Sequence, residues 1–322
     1  MPIVAVTDYG FDVLDIEKGI LEPLGCQFTE LKTGKEMPQL LALVKDADYV
    51  ITQFAPVNAE VIGAMQKCKV IVRYGIGVDN VDLAAAAAKK IPVCNVPDYC
   101  TNEVADHALA MILEMTRRIS QNAMRVKSGS WSLAVRIEDM RALKDMTVGV
   151  VAYGRIGREV ALRLAPFKCR ILVADPRVEA KRIKKDGFIP VSLEELLAQS
   201  DLVTLHCPST AETRQMINAQ SIAKMKRGSL LVNVSRGTLV KTEDMVAALK
   251  SGQLSGAAMD VTDPEPIPAD HPLLKLENVL VNPHCASGSP TSGVKLRKDV
   301  AETIAVMLRG GKPPNIVNGV KV

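Results

Sequence analysis

The chain has 322 residues, 48% of them apolar and 24% charged, a composition that excludes disorder and allows two domains with real cores. Lys and Arg number 40 against 36 Asp and Glu, and a net charge of +4 excludes the basic stripe of a nucleic-acid or anionic-lipid binder. Aromatics at 3% leave few platforms for stacking bases, and no apolar run reaches the roughly 20 residues that cross a bilayer.

The amino terminus, MPIVAVTDYG, reads as a first strand and not as a leader. IVAVT (3–7), DYVIT (48–52), KVIVR (69–73) and PVCNV (92–96) predict the strands of a first lobe. The alanine run 84–88 between them predicts helix. A long helix is then predicted over about 101–127, where Val104, Ala108, Met111, Met115, Ile119 and Val126 recur at helical spacing. Leu109 and Ile112 widen that stripe, which suits a core and is broad enough for a subunit interface.

A second series of strands follows: TVGVVAY (147–153), CRILVAD (169–175), DLVTLHC (201–207), SLLVNVS (229–235) and NVLVNP (278–283). Each is a continuous apolar run, as expected where both faces of a parallel sheet are covered. Ser192 with Glu195 and Ser209 with Glu212 have capping-box spacing, Thr242 is placed to cap a helix, and Gly252 to end it. Residues 310–319 read as a terminal loop. The fold class is α/β, with two doubly wound parallel-sheet lobes and a boundary near residue 100.

Strand TVGVV runs into A-Y-G-R-I-G (152–157) and then a helix, and Asp175 closes the next strand. That is the strand–turn–helix–strand–acid context of a dinucleotide site. Gly154 would let the backbone approach a pyrophosphate, Gly157 would let helix and strand pack closely, and the amides of Arg155 and Ile156 would face the phosphates. Asp175 would bind the adenosine ribose hydroxyls, favouring NAD, while Arg177 and KRIKK (181–185) leave NADP open. Ala152 stands where the motif has its first glycine, an exchange tolerable at negative φ.

A nicotinamide enzyme acting on a carbonyl needs a proton donor and a cation that orients the substrate. Four histidines are present. His107 inside the long helix and His206 at the end of an apolar strand read as structural, and His271 in PIPADHP as exposed. His284 follows NVLVN at a strand's carboxyl end, where open α/β sheets place ligands. Arg236 after SLLVNVS and Glu265 after AAMDV share that position, so the three can serve as acid, orienter and anchor. Seven cysteines, odd in number and without a C-x-x-C pair, predict no metal site, no disulfide framework and a cytoplasmic protein.

The segments RYGIGVDNVD (73–82), VAYGRIGREVA, VNVSRGTLV (232–240), AMDVTDPEP (258–266) and VNPHCASGSP (281–290), in this order, resemble the D-isomer-specific 2-hydroxyacid dehydrogenases. The resemblance implies a flavodoxin-like substrate domain of 1–100 plus 291–322, with a Rossmann cofactor domain, 101–290, inserted into it. It implies His284 as general acid, Glu265 as its orienting partner and Arg236 as the grip on the substrate carboxylate, helped by the amides of Ile76 and Gly77. Asp260 would receive the nicotinamide carboxamide, Cys207 and Pro208 would line the adenine side, and Val234 and Ser235 would touch the cofactor. Dimerisation through the 101–127 region is also implied.

The substrate would be a small 2-keto or 2-hydroxy acid. Family members that oxidise 3-phosphoglycerate carry an Arg where ITQFAPV (51–57) has Thr52, and many append a regulatory domain for which the chain has no room. Glyoxylate or hydroxypyruvate is therefore the preferred substrate, with a phosphoglycerate dehydrogenase lacking its regulatory domain as an alternative. VCNVPDYCTNEVADHALAMIL (93–113) also resembles the C-terminal-binding-protein corepressors, dimeric NADH-responsive scaffolds. Relatives acting on formate or phosphite are a third possibility, which YGIGVDN and PHCAS fit less well.

Overall fold

A computed structural model of the chain describes residues 1–34 and 36–322. They form two compact units, Met1–Tyr99 with Ser289–Val322, and Cys100–Gly288.

The first unit is built on β1 (Ile3–Val6), β2 (Gln27–Glu30), β3 (Tyr49–Thr52), β4 (Val70–Arg73) and β5 (Val93–Cys94). They pair in parallel in the order β2-β1-β3-β4-β5, the flavodoxin-like arrangement. β3 and β4 are buried along their whole length, as continuous apolar runs require. β2, with sequence QFTE, is a largely exposed edge strand, and its lack of an apolar run hides it from sequence reading.

The helix Pro290–Leu308 packs back onto this sheet and is anchored by a buried ion pair. Arg297 donates from Nη2 to Glu17 at 2.7 Å and to Asp15 at 2.7 Å, and its guanidinium lies 5.1 Å from the Phe11 ring. Tyr74 donates its hydroxyl to the same Glu17 at 2.8 Å, and burial beside that carboxylate raises the phenol well above its ordinary range. Removing one member of such a buried pair costs about 3–5 kcal/mol, because the other charge is left without compensation.

The second unit contains β6 (Thr147–Val151), β7 (Arg170–Ala174), β8 (Ile189–Pro190), β9 (Leu202–Leu205), β10 (Ser229–Asn233), β11 (Leu254–Met259) and β12 (Val279–Val281). The order is β12-β11-β10-β9-β6-β7-β8, parallel throughout. From β6 the chain first builds outward through β7 and β8, then returns to lay β9 on the other side. Strand order therefore reverses between β6 and β9, the switch point at which Rossmann sheets bind dinucleotides.

Three local expectations need correction. The helix predicted over 101–127 is two helices, Thr101–Arg117 and Ile119–Lys127, separated by Arg118 at a left-handed φ of 55°. The break is held from both sides: Arg118 Nη2 donates to Ser255 O at 3.1 Å, and the Glu114 carboxylate accepts the Ser120 amide at 3.0 Å. Ser209 caps no helix; its hydroxyl meets that of Thr238 at 2.7 Å in a turn. Thr242 lies inside the helix Thr242–Ser251 and donates to Asp263 O at 3.2 Å. The Ser192–Glu195 capping box and the left-handed Gly252 terminus are present as read.

Candidate active site

The loop after β6 and the helix Arg155–Leu164 form the nucleotide end of the second unit. A side chain at Gly154 would meet nothing within 4 Å, so its backbone faces open space. Gly154 caps the helix without any side-chain hydrogen bond to the first-turn amides, those of Arg155 and Ile156 among them, which are donors an anion can take. At Gly157 a Cβ would stand 2.1 Å from Ala152 O and 3.3 Å from the His206 Cβ, so only glycine lets the helix sit this close to β6 and β9.

Asp175, just past β7, accepts the amides of Tyr153 at 2.6 Å and Arg177 at 2.8 Å. These contacts fix the carboxylate and leave acceptor capacity for ribose hydroxyls. Ala152 departs from expectation: its φ is +72°, not negative, so the methyl occupies the left-handed geometry the missing glycine would serve. Cys207 is buried against Met216 and Pro208 is exposed, while Val234 is buried and Ser235 donates its hydroxyl to Leu205 O at 3.0 Å.

Arg236, Glu265 and His284 stand beyond the carboxyl ends of β10, β11 and β12. Asn233 sets the first: its side-chain amide donates to Arg236 O at 2.8 Å and its carbonyl oxygen accepts Ser235 N at 3.0 Å. The neighbouring Gly237 packs so tightly on the next loop that a Cβ would lie 1.9 Å from Thr262 O. That contact ties the Arg236 loop to the loop bearing Glu265.

Asp260, side chain fully buried, organises the last loop. Its carboxylate accepts Cys285 N and Ala286 N, each at 2.9 Å, and its own carbonyl accepts His284 N at 2.8 Å. His284 is held at a left-handed φ of 53° and turned onto Glu265, with Nδ1 2.5 Å from Oε1. A non-glycine residue kept in that region costs about 1–3 kcal/mol, and such outliers cluster at functional positions.

Two contacts escape sequence reading. His107 Nε2 lies 3.1 Å from Asn282 Nδ2 and 3.6 Å from Asp260 Oδ1, so this histidine reaches the His284 loop instead of merely filling the core. Nothing in its local sequence marks this, since its partners lie more than a hundred residues away. His206 is structural as read: Nε2 meets Thr204 Oγ1 at 3.0 Å, Nδ1 is buried without a partner, and burial lowers its pKa to about 3. His271 is half-buried, its Nδ1 accepting the Leu273 amide at 3.2 Å.

In the first unit, Ile76 and Gly77 follow β4 in a loop pinned where Asn95 Nδ2 donates to Ile76 O at 2.6 Å. Thr52 is completely buried, its hydroxyl shared between Asp8 and Ala55 O.

A fold with a Rossmann switch point, a glycine loop open to a pyrophosphate and a carboxylate-held histidine defines a nicotinamide-dependent oxidoreductase. Residues 109–286 match the family model described as D-isomer specific 2-hydroxyacid dehydrogenase, NAD binding domain. The chain belongs to the D-isomer-specific 2-hydroxyacid dehydrogenases. It is 39% identical over 282 residues to a glyoxylate reductase of Korarchaeum cryptofilum, covering 87% of this chain and 85% of that protein. It is 37% identical over 292 residues to the D-3-phosphoglycerate dehydrogenase of Archaeoglobus fulgidus, covering 90% of this chain and 55% of that longer one. The structure of D-lactate dehydrogenase from Aquifex aeolicus, complexed with NAD and lactic acid, superimposes with a TM-score of 0.89 at 28% identity, covering 99% of this chain and all of that one.

Proposed function

We propose that this dehydrogenase interconverts a small, non-phosphorylated 2-keto acid, glyoxylate or hydroxypyruvate, with its D-2-hydroxy acid. The observation that carries the reading is the 2.5 Å pair between His284 Nδ1 and Glu265 Oε1 beside the NAD-binding fold. With Nδ1 committed to Glu265, proton exchange with the substrate oxygen falls to Nε2. The carboxylate holds the ring in one orientation, which suits a donor to a developing alkoxide. Arg236 offers a planar fork to the substrate carboxylate, and the family resemblance assigns the amides of Ile76 and Gly77, in the first unit, to substrate binding. When bound, NAD(H) supplies or accepts the hydride.

Gly154, Arg155, Ile156 and Gly157 hold the pyrophosphate in this reading, and Asp175 the ribose. Cys207 and Pro208 line the adenine, Val234 and Ser235 flank the cofactor, and Asp260 uses its remaining lone pairs on the carboxamide. Thr52 speaks against a phosphorylated substrate, because a neutral, buried hydroxyl turned toward Asp8 and Ala55 O stands where the family resemblance puts a cation in phosphoglycerate enzymes. The seven free thiols fit a reducing cytoplasm.

The test is NADH consumption against a panel of 2-keto acids, with NADPH in parallel. Glyoxylate or hydroxypyruvate should be turned over at least tenfold more efficiently than phosphohydroxypyruvate. Preference for the phosphorylated acid would overturn the substrate assignment. NADH binding with no acid turned over would overturn the enzyme and favour the corepressor-like scaffold.

A further inference from the structure

A mixed nitrogen, oxygen and sulfur cluster sits directly behind the His284 loop. We propose that His107 Nε2, Asp260 Oδ1 and Cys285 Sγ form a binding site for a borderline-soft divalent cation, Zn²⁺ by choice of donors, whose occupation inhibits the enzyme. The three ligand atoms lie within 4.8 Å of one another. Nε2 is 3.6 Å from Oδ1, and Sγ is 3.6 Å from the same oxygen. Tetrahedral zinc, with bonds of about 2.0–2.3 Å, places its ligand atoms roughly 3.3–3.8 Å apart. Two of the three edges already have that length.

The donors come from three separate elements: the helix Thr101–Arg117, the end of β11 and the loop after β12. That separation explains why no spacing in the sequence announces a metal site. The site is held from behind, because the Asp260 carboxylate is fixed by the amides of Cys285 and Ala286. Cys285 is exposed and His107 partly so, and a cation would enter from their side onto the buried Asp260 carboxylate. Asn282, whose side-chain nitrogen is 3.1 Å from Nε2, must turn aside, and turning its amide over presents an oxygen. Imidazole, carboxylate and thiolate together exclude Mg²⁺ and Ca²⁺ as preferred occupants. Binding releases the Sγ proton to solvent, and the Asn282 oxygen or a water takes the fourth position.

Inhibition follows because the cation would claim Asp260 and clamp the loop bearing His284. This part rests on the proposed role of Asp260 toward the nicotinamide carboxamide. Co²⁺ is the probe, added to the cofactor-free full-length protein. It should bind once per chain with a near-ultraviolet thiolate-to-cobalt band, Zn²⁺ should displace it, and saturating NADH should weaken it at least tenfold. Cys285→Ser, at an exposed position, should abolish the band, and His107→Gln, which removes a direct ligand, should weaken binding at least tenfold. Absence of the band, or its survival in Cys285→Ser, overturns the site. A band lost in Cys285→Ser but indifferent to NADH overturns the inhibition and the cofactor role of Asp260, while the metal site stands.

Discussion

At Ala152 a single methyl group sits in backbone geometry that only glycine adopts freely. The residue holds φ at +72° because its amide donates to Ala174 O at 2.8 Å and its carbonyl abuts Gly157, so the loop has no room to relax. The left-handed conformation costs an L-residue about 1–2 kcal/mol, and glycine returns about 0.5–1 kcal/mol of that as backbone entropy. Ala152→Gly should therefore stabilise the protein by about 0.5–1 kcal/mol, read as a higher urea midpoint at unchanged slope. A lower midpoint would show that the methyl's packing outweighs the strain. Residue-level reading of the sequence places Asp175 and His284 just past the ends of strands, where the structure has them. It failed at Ala152, because letters do not state φ, and at His107, whose meaning depends on Asp260 and Asn282.

Among the elements, strands buried on both faces were the legible ones. TVGVV, RILVA and SLLVN advertise themselves as unbroken apolar runs, whereas the exposed edge strand QFTE and the two-residue β8 do not. Helical periodicity carried the 101–127 stretch through without a break, since no glycine or proline marks Arg118. Val104, Ala108, Met111 and Met115 are buried in the first helix, but Ile119, Met124 and Val126 of the second are 58%, 70% and 44% exposed. Trp131, Leu133 and Ile137 continue the exposed apolar stretch at 91%, 54% and 67%. The dimer that the family resemblance implies through the 101–127 region would cover these side chains with a second copy of the chain. Light scattering should report a dimer, and Met124→Glu with Ile137→Glu should shift it to monomer with unchanged far-UV circular dichroism. A wild-type monomer, or a double variant that stays dimeric, would refute the interface.

For the molecule as a whole, the two sheets repeat one device: parallel strands deliver loops at their carboxyl ends, and chemistry-bearing residues ride on them. Arg236, Glu265 and His284 lie on three such loops in the second unit, tied together by Gly237 against Thr262 and by Asp260 against the His284 loop. Their strand-end placement was readable from sequence, whereas the Asp260 clamp was not, because it is made by backbone amides that every residue possesses. The central claim is that His284, oriented by Glu265, exchanges the proton with the substrate oxygen. The most direct measurement is single-turnover oxidation of NADH with the best 2-keto acid by His284→Ala, with NADH affinity followed through the fluorescence of NADH itself. Turnover should fall by a factor of about 10²–10⁴ while NADH binding changes less than severalfold. Turnover at the wild-type rate in that variant would contradict the account.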